Sequence, residues 1–312
     1  MNIIHYMKGI TMVQKLILIV FMFFSMTAIA AEKITLLWGF SPASNQAVFY
    51  RAMVMDLNKN QTKYEFIFDT RPGASGAIAA KYILNNPQNA LLGGSSTFFI
   101  RTNFDKDTGY EAENFQPVFV QALGAPVAFF STKYLSIRSL KRDQDLTTSI
   151  SGYGSHSNLL ASILGEHFLG TRIIRYTSLV DANKDILGQH IDTGWNWLGD
   201  IEGPVVSRMT NVLGLTGTRS VNGHPTLTSQ GIKGFDDMST NTSIFASAAM
   251  LPERVRELYE LLRVANKATD VQAGYAREYS ISADVTLQQT VTWFNQQVKF
   301  WREQSTKVKP LQ

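Results

Sequence analysis

The chain has 312 residues, a formal charge of +4, 45% apolar residues and no cysteine. That apolar share supplies an ordinary folded core and excludes extended disorder. Disulfides, thiolate catalysis, cysteine-ligated metals and a lipidated cysteine are excluded outright, and a charge this mild, without a basic stripe interleaved with aromatics, excludes a nucleic-acid binder.

Residues 1–30 have the pattern of an export signal. Lys8 and Lys15 form a positive segment without acids, Leu16 to Met26 is a compact apolar run, and Ala28-Ile29-Ala30 is a small-x-small cleavage site before Ala31. The run is shorter than the ~20 apolar residues of a spanning helix, so a cleaved leader and a free periplasmic protein starting at Ala31 are expected. Removing the two lysines leaves a charge of +2, which suits a protein meeting small anions. The remaining ~280 residues are near the upper limit of one core, so two domains are expected.

Lys33 to Trp38 and Tyr64 to Phe68 read as strands, and the second leads into Arg71-Pro-Gly-Ala-Ser-Gly-Ala-Ile-Ala-Ala80, a turn that opens an Ala-rich helix. A strand-to-helix turn of this kind offers free backbone N–H groups to an anion. Two further turns follow the same plan: Gly93-Gly94-Ser95-Ser96-Thr97 after the run Ala90 to Leu92, and Gly152-Tyr153-Gly154-Ser155-His156-Ser157. Phe115 to Val120, Pro126 to Phe130 and Asn211 to Thr216 are further strand-like runs. Their alternation with amphipathic stretches predicts α/β organisation with mostly parallel sheets, in which ligands sit beyond the carboxyl ends of strands. Near the C-terminus, Pro252 and Glu253 start a helix whose stripe is Val255, Leu258, Leu261, Leu262 and Ala265. A second helix carries Leu287, Val291, Phe294, Val298 and Trp301; both stripes are read as packing faces.

Enzyme motifs are absent. There is no Gly-x-Ser-x-Gly elbow, no Walker sequence, no Rossmann glycine fingerprint and no His-Glu-x-x-His. His156, His167, His190 and His224 lack metal-ligand spacing, so no metal, cofactor or catalytic residue is expected. A serine hydrolase using Ser155 with His156 is the enzymatic alternative, and the adjacency of the two residues argues against a productive Ser–His hydrogen bond. Asp69 and Asp192 pair as acid and base only if the fold brings them together.

From about Lys33 to Val308 the chain resembles the substrate-binding receptors of tripartite tricarboxylate transporters, the Bug family. Arg71-Pro-Gly-Ala-Ser-Gly76 is similar to the family's Arg-Pro-Gly-Ala-Gly-Gly turn, followed in order by Leu92-Gly-Gly-Ser-Ser96, Phe115-Gln-Pro-Val118 and Gly152-Tyr-Gly-Ser155. Arg175-Tyr176 with Asp185-Ile-Leu-Gly-Gln-His-Ile-Asp192 resembles the family's Pro-Tyr and Asp-Leu-Leu-Gly-Gly-Gln-Val-Asp run, and Pro225 to Gly231 with Gly234-Phe235 resembles its Pro-Thr…Gly…Gly-Tyr segment. The chain departs from the family at Phe40-Ser41-Pro42-Ala43-Ser44-Asn45-Gln46-Ala47, where Phe-Pro-Ala-Gly-Gly-Ser-Thr-Asp is usual. Both glycines and the acid are lost there, leaving the Ser44 hydroxyl or the Asn45 amide to replace close backbone approach. Thr177 to Ala182 replaces a small-residue run, and Trp195 and Trp197 make the segment after Asp192 bulkier.

The resemblance implies a two-lobed, type II-like periplasmic binding protein fold, two α/β domains joined by a two-strand hinge. Residues 31–131 plus 245–312 would form the first lobe and 132–244 the second. The family's proximal carboxylate site falls on Phe40, Ser41, Ser44 and Asn45, on the helix start Ala74, Ser75 and Gly76, and on Ser95, Ser96 and Thr97. Across the cleft, Ser155, His156, Tyr176, Asp192 and Trp195 are the expected positions for the distal half of the ligand. The implied partners are a small carboxylate and the membrane subunits of a transporter, served by a monomer that closes on its ligand without covalent chemistry. The alternative partner is the ectodomain of a sensor histidine kinase.

Overall fold

The computed structural model describes residues 31–105, 107–309 and 311. The expected leader lies outside the described residues. Among the described residues, no helix is long and apolar enough to cross a membrane.

Three strand-to-helix units open the chain: β1 (Glu32–Trp38) with α1 (Asn45–Asn60), β2 (Tyr64–Thr70) with α2 (Ala77–Asn85), and β3 (Ala90–Gly94) with α3 (Ser96–Phe104). β4 (Phe115–Ala125) then runs into β5 (Val127–Ser131) with only Pro126 between them. Next come β6 (Leu146–Ile150), α4 (His156–His167), β7 (Thr171–Arg175), α5 (Leu179–Leu187), β8 (Gly194–Trp197), α6 (Leu198–Val206) and β9 (Asn211–Leu215). The chain returns through β10 (Thr240–Ser247) and ends in α7 (Pro252–Ala265), α8 (Thr269–Arg277), β11 (Ile281–Ser282) and α9 (Leu287–Thr306).

These strands form two lobes. The first holds a six-stranded sheet in the order β11-β4-β10-β3-β1-β2. In the second, β8-β5-β9 and β6-β7 are joined by a parallel bridge between Thr148 and Thr193. All five residues of β3 are buried, as befits a strand flanked by β1 and β10 and covered on both faces. The sheets are less parallel than the sequence suggests. β1 with β3 and β6 with β7 are parallel, but β10 is antiparallel to β3 and β4, and β5 is antiparallel to β8 and β9. A chain that crosses to a second sheet and comes back re-enters the first one reversed.

The crossings lie side by side. At Pro126 the chain leaves the first sheet, and the Val127 N–H donates to Thr216 Oγ1 while the Thr216 N–H donates to the Val127 carbonyl, both at 2.9 Å. Thr240 then pairs with Ala125. β5 therefore pairs within the second sheet although residues up to 131 were expected in the first lobe, and β10 joins the first sheet at Thr240 rather than after 244. One extended segment serves both sheets here, and the apolar pattern is continuous across Pro126, so composition marks no boundary.

Packing follows the stripes read at the C-terminus in most positions. On α7, Val255, Leu258, Leu262 and Ala265 are buried under β4, and on α9 Phe294 and Trp301 are buried. Val291 is exposed, so the α9 stripe is narrower than its spacing suggests. α9 starts with a reciprocal cap in which Thr286 Oγ1 accepts from Gln289 N and Gln289 Oε1 accepts from Thr286 N. Beyond it, the Leu311 N–H donates to Ser162 Oγ on α4, so the tail reaches the second lobe.

Candidate functional site

Five helices begin at one cavity between the lobes. Its lining includes Ser44 and Gln46 at the start of α1, Ser95 and Thr97 at α3, His156 and Ser157 at α4, Ser178 to Val180 at α5, and Trp197 and Asp200 at α6. The first amides of a helix have no partner within it, and each start carries roughly half a positive charge from the macrodipole. Among the described residues, no lysine or arginine lines this space. Aromatic side chains wall it: Trp38, Phe40, Trp195 and Trp197. Its volume of about 80 Å³ suits a compact ligand.

The lobes meet around the cavity in a closed arrangement. The His156 N–H donates to Thr97 Oγ1 at 3.1 Å, and the Asn45 N–H donates to Asp200 Oδ1 at 3.1 Å. On a third contact, Ser75 Oγ donates to the carbonyls of Tyr153 and Ser151 at 3.1 and 3.3 Å. The turn that presents Ser75 is held by consecutive positive φ angles from Gly73 to Gly76, and opposite it Gly152 lacks the Cβ that would stand 2.7 Å from Ser75 Oγ.

Of the residues expected from sequence, Phe40, Ser41, Ser44, Ser95, Thr97, His156 and Trp195 line the cavity. Ser75 and Gly76 instead border a smaller recess of about 20 Å³ that shares Phe40 and Ser95 with it, and Ala74 lines neither. Asn45 does not line the cavity but bonds Asp200 through its backbone N–H. Ser44 lines the cavity but its hydroxyl is engaged locally: it accepts from Trp38 Nε1 at 3.1 Å and from Ala47 N at 3.4 Å, and donates to the Ser41 carbonyl at 2.9 Å.

Four expected residues are placed elsewhere. Ser96 is buried with its Oγ unpartnered and does not line the cavity. Ser155 caps α4, accepting from Asn158 N at 3.1 Å in full burial, and its hydroxyl exchanges a bond with Ser157 Oγ rather than with the His156 ring. Tyr176 is turned to Asp185, to which its hydroxyl donates at 2.5 Å; burial and that carboxylate push its pKa up to about 12. Asp192 is a structural clasp: its carboxylate accepts from Thr147 N and Thr147 Oγ1 at 2.9 and 2.8 Å and pairs with Lys133 at 2.7 Å. Those bonds outweigh burial and hold the Asp192 carboxyl below the usual carboxylate range.

Sequence reasoning missed Trp38, Gln46, Ser157, the Ser178 turn, Trp197 and Asp200. A serine ahead of Leu179 and an acid in the first turn of α6 are readable as helix starts, but only the fold turns those starts toward one point. Asp200 is half-buried, and burial raises its pKa to about 6 against the bonds from Asn45 and Gln46. Behind it, at the end of α8, Glu278 is fully buried. Burial first, and then the Asp200 charge, push Glu278 well above the usual range. The His156 ring packs edge-on to Trp301 at 5.2 Å, and burial lowers its pKa to about 3, so it is neutral. Trp195 is stacked between Phe129 at 4.7 Å and Phe235 at 5.6 Å. Among the described residues, no group of three or more His, Asp or Glu is placed to hold a metal ion.

This is the fold of the two-lobed Bug-type periplasmic binding proteins. The structure of the periplasmic binding protein BugD superposes with a TM-score of 0.79 at 18% identity, covering 88% of this chain and 97% of that one. MatC from Rhodopseudomonas palustris, solved with bound malate, superposes at 0.78 with 14% identity over 88% of this chain and 99% of its own. A second R. palustris protein, solved with adipate, gives 0.78 at 17% identity over 90% and 99%. No protein-family model matches the sequence, and no curated protein does. At these identities the likeness is one of fold.

Proposed function

We infer that this chain is a solute receptor that captures a small carboxylate between its lobes. The observation that carries this reading is the convergence of five helix starts on a cavity lined, among the described residues, by no cationic side chain. Fixed backbone dipoles there replace the salt bridge that a carboxylate otherwise seeks, and the hydroxyls of Ser95, Thr97 and Ser157 add donors whose direction is set by their helices. Because the cavity is built from both lobes, a ligand seated in it stabilises the closed arrangement only. Structures of the same fold hold malate and adipate, which supports a carboxylate as the ligand class.

The structural relatives are periplasmic, and the pattern of residues 1–30 agrees with export, so the receptor acts in the periplasm as a monomer that delivers its ligand to the membrane subunits of a tripartite tricarboxylate-type transporter. The test is a thermal-shift screen of mono-, di- and tricarboxylates and amino acids. At one hundred times Kd a ligand adds about 2.7 kcal/mol, a shift of several degrees. A flat response across that panel overturns the receptor reading. N-terminal sequencing of the exported protein is expected to begin at Ala31, and recovery of residues 1–30 on the membrane-bound protein refutes the processing.

A further inference from the structure

We propose that Asp200 selects a ligand carrying a positively charged nitrogen beside its carboxylate, an amino acid or betaine rather than a di- or tricarboxylate. This rests on the receptor reading above and narrows it. Among the described residues, Asp200, at the first turn of α6, is the one carboxylate lining the cavity, and no lysine or arginine lines the same space to neutralise it. Glu278 adds a second acid behind it: Gly199, next to Asp200, lies so close to the end of α8 that a Cβ there would be 3.0 Å from Glu278 Oε1. The Asn45 side chain faces Glu278, and Glu202 is a third acid near enough to act on it. Asn45 and Gln46 are the polar groups facing this acid pair from the first lobe, and neither is charged.

One further lining residue, Trp195, carries a buried Nε1 without a hydrogen-bond partner, a donor suited to an anion. The walls agree with a cation: the aromatic residues Trp38, Phe40 and Trp197 line the same space, and ammonium groups are drawn to aromatic rings. A second carboxylate placed against Asp200 is repelled, whereas an ammonium group replaces the proton that the acid pair otherwise holds. Primary amines and methylated ammoniums share this chemistry, and the choice between them is read from the assay.

The experiment compares matched pairs by calorimetry on the mature protein: alanine with propionate, aspartate with succinate, and glycine betaine with 3,3-dimethylbutyrate. In at least one pair the member carrying the charged nitrogen is expected to bind tenfold or more tighter, and Asp200→Asn to erase that preference while leaving the nitrogen-free carboxylate at least as tight as before. The pair showing the preference distinguishes a primary amine from a methylated one. As a readout on the unaltered protein, affinity for the nitrogen-bearing member is expected to weaken as pH falls below about 6, where Asp200 takes up its proton. If the nitrogen-free carboxylates bind as well as their nitrogen-bearing partners, this inference fails and the receptor reading stands. Equal weakening of both members by Asp200→Asn also overturns it, since the residue then acts by position only. Binding by no carboxylate at all removes both readings.

Discussion

Thr97→Val tests the combined contribution to affinity of the lobe contact at Thr97 and of the bond its hydroxyl donates to the ligand. The change is close to isosteric, so α3 and its core neighbours keep their packing, but Oγ1 is lost and with it the acceptor for the His156 N–H across the cleft. In the closed state that amide is buried and faces a methyl group. A buried donor left unsatisfied costs about 1–3 kcal/mol, whereas in an open state water satisfies it. The penalty therefore falls on closure, and ligand affinity is expected to drop roughly 5- to 150-fold. Thr97→Ser keeps the oxygen and is expected to retain most of the affinity. Calorimetry with a ligand from the screen measures the affinities, and small-angle scattering reports whether the ligand still compacts the particle. The unliganded melting temperature is expected to move little. Wild-type affinity in the Val variant refutes the view that this bond supports closure. Equal weakening by Ser and Val places the effect in packing around the methyl instead.

Asp192→Ala is expected to destabilise the second lobe by about 1–3 kcal/mol in chemical denaturation, since the half-buried Thr147 amide and hydroxyl lose their charged acceptor, with ligand affinity unchanged; a selective loss of affinity would return Asp192 to the binding site. Ser44→Ala removes the α1 cap and the acceptor of Trp38 Nε1, and is expected to cost about 0.5–2 kcal/mol of thermal stability; no measurable change refutes the cap. For pH, Asp200 has a folded pKa raised from 3.8 to about 6, so the stability tied to its proton is present below the lower value and lost as pH rises through the upper one. The loss amounts to up to roughly 3 kcal/mol, and Glu278 acts with the same sign. Melting curves from pH 4 to 7 should show Asp200→Asn gaining stability relative to the unaltered protein as pH rises; a constant difference refutes the assignment.

How much of this was legible in the sequence depended on whether the signal was local. Strand-to-helix turns at Arg71 to Ala80 and Gly93 to Thr97 are written in neighbouring residues, and both occur where their glycines and serines imply. Destination is not local. The turn at Ser75 is as anion-like in sequence as the one at Ser95, yet it reaches across to Tyr153 and contributes to lobe contact. Asp192 and Asp200 are both acids flanking β8; the first clasps Thr147 and the second lines the cavity, a difference set by which neighbours the sheet brings alongside. Sheet membership across Pro126 was hidden for a related reason, because one apolar segment satisfies two sheets equally well. Glu278 gave no signal, since a lone acid near a helix end ordinarily faces water.

The stacking of Trp195 between Phe129 and Phe235 has an optical consequence. Of the five tryptophans in the chain, Trp38, Trp195 and Trp197 line the cavity, while Trp293 and Trp301 belong to α9. Three of the five indoles thus lie within reach of the ligand. An indole whose N–H lacks a partner emits differently once an anion accepts from it, and opening the cleft admits water to the same rings. Occupancy and closure are both written into the emission spectrum, so the native chain can serve as its own unlabelled sensor in stopped-flow fluorescence.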